Sequence, residues 1–219
     1  ALLVRPTSAP ATSPEIVNKF VEDCWTKRSG RTLDTIVLHF SSDMAANPTR
    51  PYDLDRILAN FKKARVSAHY LIYRDGNVYR LVDDQYAAYH AGRGTLPRDR
   101  RRSHINDTSI GIELLAIGTE EEMRKMLGAN TKELYARLRP SDIGYTDKQY
   151  ESLRSLLKLI TNRHPQIKMD RKHIIGHDEY APGRKTDPGS LFDWTRIGLS
   201  QQADLTPRSR DIRHSNSQN

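Results

Sequence analysis

Residues 174–194 read I-I-G-H-D-E-Y-A-P-G-R-K-T-D-P-G-S-L-F-D-W, and this stretch carries the most informative residues of the chain. Two apolar residues and a glycine lead to His177, and Asp187 follows within a turn rich in glycine and proline. Lys185 lies two positions before Asp187. A histidine, a carboxylate and a lysine brought together by a rigid turn are typical parts of a metal-hydrolase site. Such a site needs a further ligand from elsewhere in the chain.

A second histidine ends a short apolar run near the start of the chain. Residues 34–40, D-T-I-V-L-H-F, are rich in β-branched side chains and predict a buried central strand. His39 falls at its end, where α/β folds often place their chemistry. Together with His177 and Asp187 it would supply two imidazoles and one carboxylate. That set leaves zinc one open position for water, as in catalytic rather than structural sites.

His173 offers a competing metal pair, because it lies four residues before His177. Such a pair needs a helix to bring both rings to one face. The intervening Ile174-Ile175-Gly176 favours a strand instead. The sequence therefore predicts a structural role for His173.

Glu113 is the fourth candidate, because it interrupts an apolar run. Residues 106–117, N-D-T-S-I-G-I-E-L-L-A-I, predict a turn that leads into a core strand. An unpaired carboxylate buried there would be costly. Glu113 is therefore expected either to do chemistry or to pair with a cation such as Lys185, and the two roles can coexist.

Composition fits one domain of ordinary size with polar tails. The chain has 219 residues, 37% of them hydrophobic, and a mean hydropathy of −0.72. No apolar run approaches the roughly 18 residues that span a bilayer, so no transmembrane segment is expected. Cys24 is the single cysteine, which excludes an intrachain disulfide and a cysteine zinc cluster.

The chain is strongly basic, with a formal charge of +8 and an isoelectric point near 9.6. This charge favours a polyanionic partner: nucleic acid, an acidic membrane surface or a carboxylate-rich wall polymer. The basic run at 98–102 has no interleaved aromatic residues and no nucleic-acid recognition motif accompanies it. We therefore expect no nucleic-acid partner, and charge alone does not choose between the other two.

Capping and turn signals predict the remaining elements. The pattern indicates helices over about 14–26, after Asp53, from Thr119 to about 127, over 131–138 and from Thr146 to His164, and a hairpin over 69–82 that turns at Asp75-Gly76.

Four motifs together resemble one family. They are V-L-H-F (37–40), Y-H-A-G (89–92), N-D-T-S-I-G-I-E-L (106–114) and G-H-D-E-Y-A-P-G-R-K-T-D-P-G (176–189). In this order they resemble zinc-dependent N-acetylmuramoyl-L-alanine amidases of the type 2 family, which shares its fold with peptidoglycan recognition proteins and phage lysozyme amidases. The chain looks most similar to the bacterial branch that processes anhydromuropeptides or periplasmic wall fragments.

The resemblance implies an α/β fold, a single domain with a central mixed β-sheet flanked by helices. It implies zinc as the cofactor, with His39, His177 and Asp187 as ligands. It also implies Glu113 as the catalytic carboxylate and Lys185 as the cation that stabilises the oxyanion.

The resemblance further implies substrate contacts, although this chain departs from relatives near them. Tyr89 stands where relatives often have Trp, and His104 stands where some have a substrate-binding Arg. His90 is either a cleft wall that touches substrate or a polar residue satisfied within the protein. The predicted substrate-binding set is His90, Ala91, Arg102, His104 and Asn106.

The resemblance also divides the chain. It covers about 32–197, predicted as a type 2 amidase domain with an insertion at about 118–145, while composition and periodicity predict an N-terminal lead-in and helix over 1–31 and a flexible tail over 198–219. The expected activity is hydrolysis of the amide between the lactyl group of N-acetylmuramic acid and L-alanine, with peptidoglycan or muropeptide fragments as partners.

Two alternatives remain open at the level of sequence. A non-catalytic peptidoglycan-binding module of the same fold is the alternative function. The chain begins at Ala1, and a removed signal peptide would place the protein in the periplasm or elsewhere outside the cytoplasm. A trimmed start leaves the cytoplasm as the alternative location, and the oligomeric state is not predicted.

Overall fold

A computed structural model describes residues 14–202 of the protein, so residues 1–13 of the predicted lead-in and helix lie outside the described residues. The strands are β1 (Ile16–Asn18), β2 (Trp25–Lys27), β3 (Thr35–Ser41), β4 (Tyr70–Ile72), β5 (Val78–Arg80), β6 (Tyr86–Ala88), β7 (Ser109–Leu115) and β8 (Ile174–Gly176). The helices are α1 (Leu54–Ala64), α2 (Glu120–Leu127), α3 (Thr131–Tyr135), α4 (Asp147–Arg163) and the single turn α5 (His177–Tyr180).

Six strands form one mixed sheet in the order β1-β5-β4-β7-β3-β8. Its neighbours run parallel except β4 and β5, which form the antiparallel hairpin predicted from the sequence. Strands β2 and β6 form a separate antiparallel pair. The predicted α/β fold with a central mixed sheet and flanking helices is confirmed.

The two central strands carry different residues on their two faces, because successive side chains of a strand point to opposite sides. On one face Ile36 and Leu38 of β3 and Ile112 of β7 join an apolar cluster with the buried side of α4. On the other face His39 of β3 lies directly beside Glu113 of β7 in the strand register. The sheet therefore separates an apolar core from a polar site.

Local signals predicted the helix starts well. The Asp53 side chain caps α1, and Thr119 and Thr146 open α2 and α4 with the predicted capping boxes. Helix α4 ends at Arg163, before His164 and Pro165. Helix α3 ends at Tyr135 and is shorter than the predicted 131–138.

The helix predicted over 14–26 is wrong, because β1 and β2 occupy this segment. Cys24 has a φ of 67°, which a right-handed helix does not allow. The free edge of β5 pairs with β1, while Trp25 of β2 packs its ring 4.3 Å from that of Tyr86. Unpaired strand edges attract a partner strand, and this interaction outweighs the helical spacing of the apolar residues.

Packing continues past the predicted start of the tail at residue 198. Leu199 is buried in the core cluster under α4, and the Gln201 side chain bonds to Trp194 and Phe192. Residues 203–219 of the predicted tail lie outside the described range. No helix within residues 14–202 combines the length and the apolar character needed to cross a membrane.

Candidate metal centre and active site

Three predicted ligands converge at the polar face of the sheet. His39 comes from β3, His177 opens α5 directly after β8, and Asp187 comes from the loop that follows. His39 Nδ1, His177 Nδ1 and Asp187 Oδ2 lie 3.0 Å from one another. All three residues are at most 8% exposed. Residues far apart in the chain thus meet because β3 and β8 are parallel neighbours.

The hydrogen bonds of His177 leave its Nδ1 free to bind a metal. Its Nε2 lies 2.9 Å from the carbonyl oxygen of Ala91. A carbonyl only accepts, so Nε2 carries the proton and donates it. In the neutral form of the ring, the lone pair of Nδ1 then faces the other two donors.

A chain of hydrogen bonds assigns the same tautomer to His39. Ser109 Oγ donates to the carbonyl of Ile105 and therefore accepts from Nε2 of His90. The neutral His90 ring then accepts at Nδ1 from Nε2 of His39, over 3.0 Å. His39 is left with an unprotonated Nδ1 that points toward His177 and Asp187.

Burial and neighbouring groups set the charges of this centre. Burial and the neighbouring His177 lower the pKa of His39 to about 4, so its ring is neutral at pH 7. With the protons of both rings on Nε2, the two Nδ1 lone pairs and Asp187 Oδ2 face one another at 3.0 Å. A neutral imidazole and an ionised carboxylate are the protonation states that bind metal.

These residues fit zinc. Zinc binds imidazole nitrogen and carboxylate oxygen at about 2.0–2.2 Å, and donors 3.0 Å apart can contact one ion at that distance. Both imidazoles have their second nitrogen hydrogen-bonded, as metal-ligating histidines usually do. Two nitrogens and one oxygen also leave a position for water.

Glu113 lies beside this centre and is 8% exposed. Ser41, two residues after His39 on the same strand face, donates a hydrogen bond to its Oε2 at 2.7 Å. Burial, assisted by the charge of Asp187, raises the pKa of Glu113 to about 8, while Ser41 and Lys185 act in the opposite direction. A carboxyl with such a pKa can both take and release a proton near neutral pH.

Lys185 lines the same cavity as Glu113 and is partly exposed. The ion pairs within residues 14–202 do not include one between Lys185 and Glu113, so the predicted salt bridge is not formed. The lysine still acts on both Glu113 and His39 through its charge. Its ammonium group therefore lines the same cavity as the centre without a direct ion pair to Glu113.

The cavity in front of the centre has a volume of about 330 Å³. One wall is polar and consists of the metal ligands, Glu113 and Lys185. The apolar part of the lining, here called the apolar wall, comes from α1, α2 and the loop after β3. Its apolar side chains include Met44, Ile57, Phe61, Met123, Met126 and Leu127.

The predicted substrate contacts lie at unequal distances from this cavity. His90 lines it, but its ring nitrogens are both engaged. Asn106 holds the backbone N–H groups of His90 and Ala91 through its Oδ1. Arg102 pairs with Asp34 away from the cavity, and His104 is exposed without lining it. Substrate contact by these five residues stays a prediction.

Sequence patterns missed several residues that support the site. Ser41 could have been found, because the period of two places it on the same face as His39. Arg184, which donates to the carbonyls of Ala91 and Arg93, gives no such signal. Arg28 is similar: its guanidinium donates to the carbonyls of Ser109 and of the turn before β7, although it lies in the segment 1–31, outside the predicted amidase domain.

Known proteins share these features. Residues 29–190 match the family model described as N-acetylmuramoyl-L-alanine amidase, which is more than half of the chain. The 1,6-anhydro-N-acetylmuramyl-L-alanine amidase AmpD of Escherichia coli K12 is 36% identical over 148 residues, 68% of this chain and 65% of the relative. The N-acetylmuramoyl-L-alanine amidase AmiD of the same organism is 31% identical over 172 residues, 75% of this chain and 52% of the relative. The chain thus spans slightly less than two thirds of that AmpD.

Solved structures agree with this assignment. A crystal structure of a selenomethionine AmpD derivative superposes with a TM-score of 0.58 at 28% identity, covering 85% of this chain and 93% of the other. The complex of AmiD from E. coli with the substrate anhydro-N-acetylmuramic acid-L-Ala-D-gamma-Glu-L-Lys gives 0.56 at 27% identity, covering 78% and 59%. The chain therefore belongs to the type 2 N-acetylmuramoyl-L-alanine amidase family.

Proposed function

We propose that this protein is a zinc-dependent amidase that hydrolyses the bond between the lactyl group of N-acetylmuramic acid and the L-alanine of the stem peptide. The observation that carries the proposal is one cavity that holds the His39, His177 and Asp187 donors, a buried carboxyl with a raised pKa and a lysine that forms no ion pair within residues 14–202. Family membership supports the same activity.

Zinc would be held by His39, His177 and Asp187, and when bound it supplies a Lewis acid that lowers the pKa of water toward roughly 7 and polarises a carbonyl. The protein orients these ligands in advance. His90 and Ser109 fix the tautomer of His39, and the Ala91 carbonyl fixes that of His177. The ligand atoms therefore need little rearrangement to bind.

Glu113 acts as the general base and then as the general acid. In its ionised form an Oε atom accepts a proton from the attacking water. The same carboxyl then delivers that proton to the nitrogen of the departing L-alanine. Its raised pKa suits both steps, because a catalytic group works best when its pKa lies near the operating pH.

Lys185 stabilises the negative charge that develops on the scissile carbonyl oxygen. Without a direct ion pair to Glu113, its ammonium group can serve a developing oxyanion. Preorganised donors of this kind contribute about 3–4 kcal/mol to the stability of a transition state.

The substrate we propose is an anhydromuropeptide or a related wall fragment. AmpD relatives are named for a 1,6-anhydro-N-acetylmuramyl-L-alanine amide, and AmiD has been solved with an anhydromuramyl peptide. The net charge of +8 attracts such carboxylate-bearing fragments. The protein would thus act in the degradation or recycling of the cell wall.

Incubation with purified muropeptides and mass spectrometry of the products tests the activity. We expect release of free stem peptide. Removal of metal by a chelator should abolish this release, and addition of zinc should restore it. The alternative function, a non-catalytic binding module, predicts retention of muropeptides by the zinc-loaded protein without any release. That result would contradict the proposed activity.

Location remains a separate prediction. We propose action in the periplasm or elsewhere outside the cytoplasm, with the cytoplasm as the alternative. The N-terminal sequence of the unprocessed precursor distinguishes them: a cleavable signal peptide supports the first, and its absence supports the second.

A further inference from the structure

Helix α2 is bound directly to the loop that carries Lys185 and Asp187. The hydroxyl of Thr186 donates to the backbone carbonyl of Glu122 at 3.2 Å, and the backbone N–H of Ser190 donates to Glu122 Oε1 at 2.6 Å. The ammonium group of Lys125 donates to the carbonyl of Gly183 at 2.9 Å. Along the chain, these contacts lie before Lys185, between Lys185 and Asp187, and after Asp187.

Glu122 is the centre of this attachment. Its Oε2 accepts from the backbone N–H of Thr119 at 2.9 Å and completes the capping box of α2. Its carboxylate sits between two glycines: a Cβ on Gly118 would lie 2.5 Å from Oε2, and a Cβ on Gly189 would lie 2.6 Å from it. Side chains larger than hydrogen at these positions would displace the carboxylate.

Helix α2 lies in the segment 118–145, which the sequence predicts as an insertion. The capping box by itself would give Glu122 no role beyond capping this helix. The second oxygen, however, bonds Ser190, 68 residues away in the chain. A cap does not require that bond. The same helix also places Met123 and Met126 on the apolar wall of the cavity.

We propose that Glu122 is a positioning residue whose carboxylate latches α2 onto the loop 183–190 and thereby holds Asp187 and Lys185 in their working positions; this rests on the proposed function. The loop has further anchors, since Tyr145 donates to the carbonyl of Pro188 and the N–H of Asp178 donates to that of Asp187. The Glu122 latch adds a restraint from α2 to these anchors.

Two variants separate the latch from the cap. Glu122→Ala removes both bonds of the carboxylate. Thr119→Ala removes only the hydroxyl that accepts from the N–H of Glu122, so the helix loses part of its cap while the latch stays intact. Glu122→Gln keeps one acceptor oxygen for two N–H donors. Its effect on the loop should therefore be smaller than that of Glu122→Ala.

The first measurement is amide hydrogen exchange of the loop 183–190 in the metal-free full-length chain. We expect about tenfold faster exchange in Glu122→Ala, a smaller increase in Glu122→Gln, and no change in Thr119→Ala, because a hydrogen bond to a charged acceptor is among the stronger ones. The thermal midpoints of all variants control for general destabilisation.

The second measurement is zinc affinity by competition with a chelator. Loss of an outer contact that orients a ligand typically weakens metal affinity about tenfold or more, so we expect this for Glu122→Ala and an unchanged affinity for Thr119→Ala.

Equal loop exchange or equal zinc affinity in Glu122→Ala and wild type would overturn the proposal. Equal effects of Glu122→Ala and Thr119→Ala would also overturn it. A wild-type protein that binds no zinc would contradict the proposed function, and the exchange comparison would still test the latch.

Discussion

The two faces of the central sheet differ where β3 and β7 lie side by side: one is apolar, and the other holds polar side chains beside the apolar Val37 and Leu115. Toward α4, Ile36, Leu38 and Ile112 meet Leu153 and its neighbours in an apolar cluster. On the other face the same two strands present His39, Ser41 and Glu113, each bonded to a polar partner. A shift of one residue along these strands therefore moves a side chain from the apolar cluster under α4 to the face that holds the site.

This difference shows what offsets the cost of placing ionisable groups in the interior. The apolar face supplies the favourable burial, roughly 25 cal/mol for each Å² of apolar surface removed from water. The polar face carries groups whose pKa values are displaced in opposite directions, with Glu113 raised and His39 lowered. Substitutions on one face should thus affect activity, and those on the other should affect stability.

The largest expected effect is that of Glu113→Gln. It removes the proton acceptor but keeps the shape of the side chain, and general acid–base groups contribute about 10²–10⁴-fold to rate. We expect kcat/KM to fall by that factor with zinc content unchanged, as measured by muropeptide assays and metal analysis. Glu151→Gln on the exposed side of α4 is the matched control. Wild-type rates in Glu113→Gln would remove Glu113 from its assigned role.

Lys185→Met should produce the next largest loss of activity. The substitution keeps an unbranched side chain but removes the charge that faces the developing oxyanion, and loss of one such donor costs about 10²–10³-fold in kcat. Steady-state kinetics measure it, with the exposed Lys158→Met on α4 as control. A change confined to KM would indicate substrate binding instead of transition-state stabilisation.

On the opposite face, Leu153→Ala should change stability and leave the chemistry intact. Leu153 is fully buried in the apolar cluster, and such truncations lower the free energy of unfolding by about 2–5 kcal/mol. Denaturant titration gives this value, and kcat/KM per folded molecule should equal that of wild type. A large loss of kcat/KM in the folded protein would contradict the claim that the apolar face affects stability alone.

The smallest expected effect is a displaced pH profile in Ser41→Ala. The ionised form of Glu113 takes the proton, so kcat/KM rises as pH increases through its pKa. Ser41 donates to this carboxylate and lowers its pKa, and removal of the hydroxyl therefore raises it. The rising limb of the pH–rate profile should move to higher pH. A limb that stays in place or moves to lower pH would show that Ser41 does not act on Glu113.

Local patterns predicted the parts of the fold and site that depend on neighbouring residues. The strand ending near His39, the carboxylate within the apolar run of β7 and the three helix caps all follow from side-chain period and capping chemistry. Recognition of four motifs then predicted the fold class, which the structure confirms.

Contacts between distant segments could not be predicted in this way. The helical spacing in 14–26 carried no information about the free edge of β5, so β1 was missed. The relay from His39 through His90 to Ser109 exists only because the loop after β6 packs against β7. Likewise, the capping box at Thr119 indicates where α2 begins but not that Glu122 also holds Ser190.

The position of bond cleavage tests the proposed amidase most directly. Digestion of an anhydromuropeptide in heavy-oxygen water, followed by mass spectrometry of both products, locates the atom that water contributes. Amide hydrolysis predicts one heavy oxygen in the lactyl carboxyl group of the sugar product and none in the released stem peptide. Heavy oxygen in the stem peptide, or recovery of the intact substrate from the zinc-loaded protein, would contradict it.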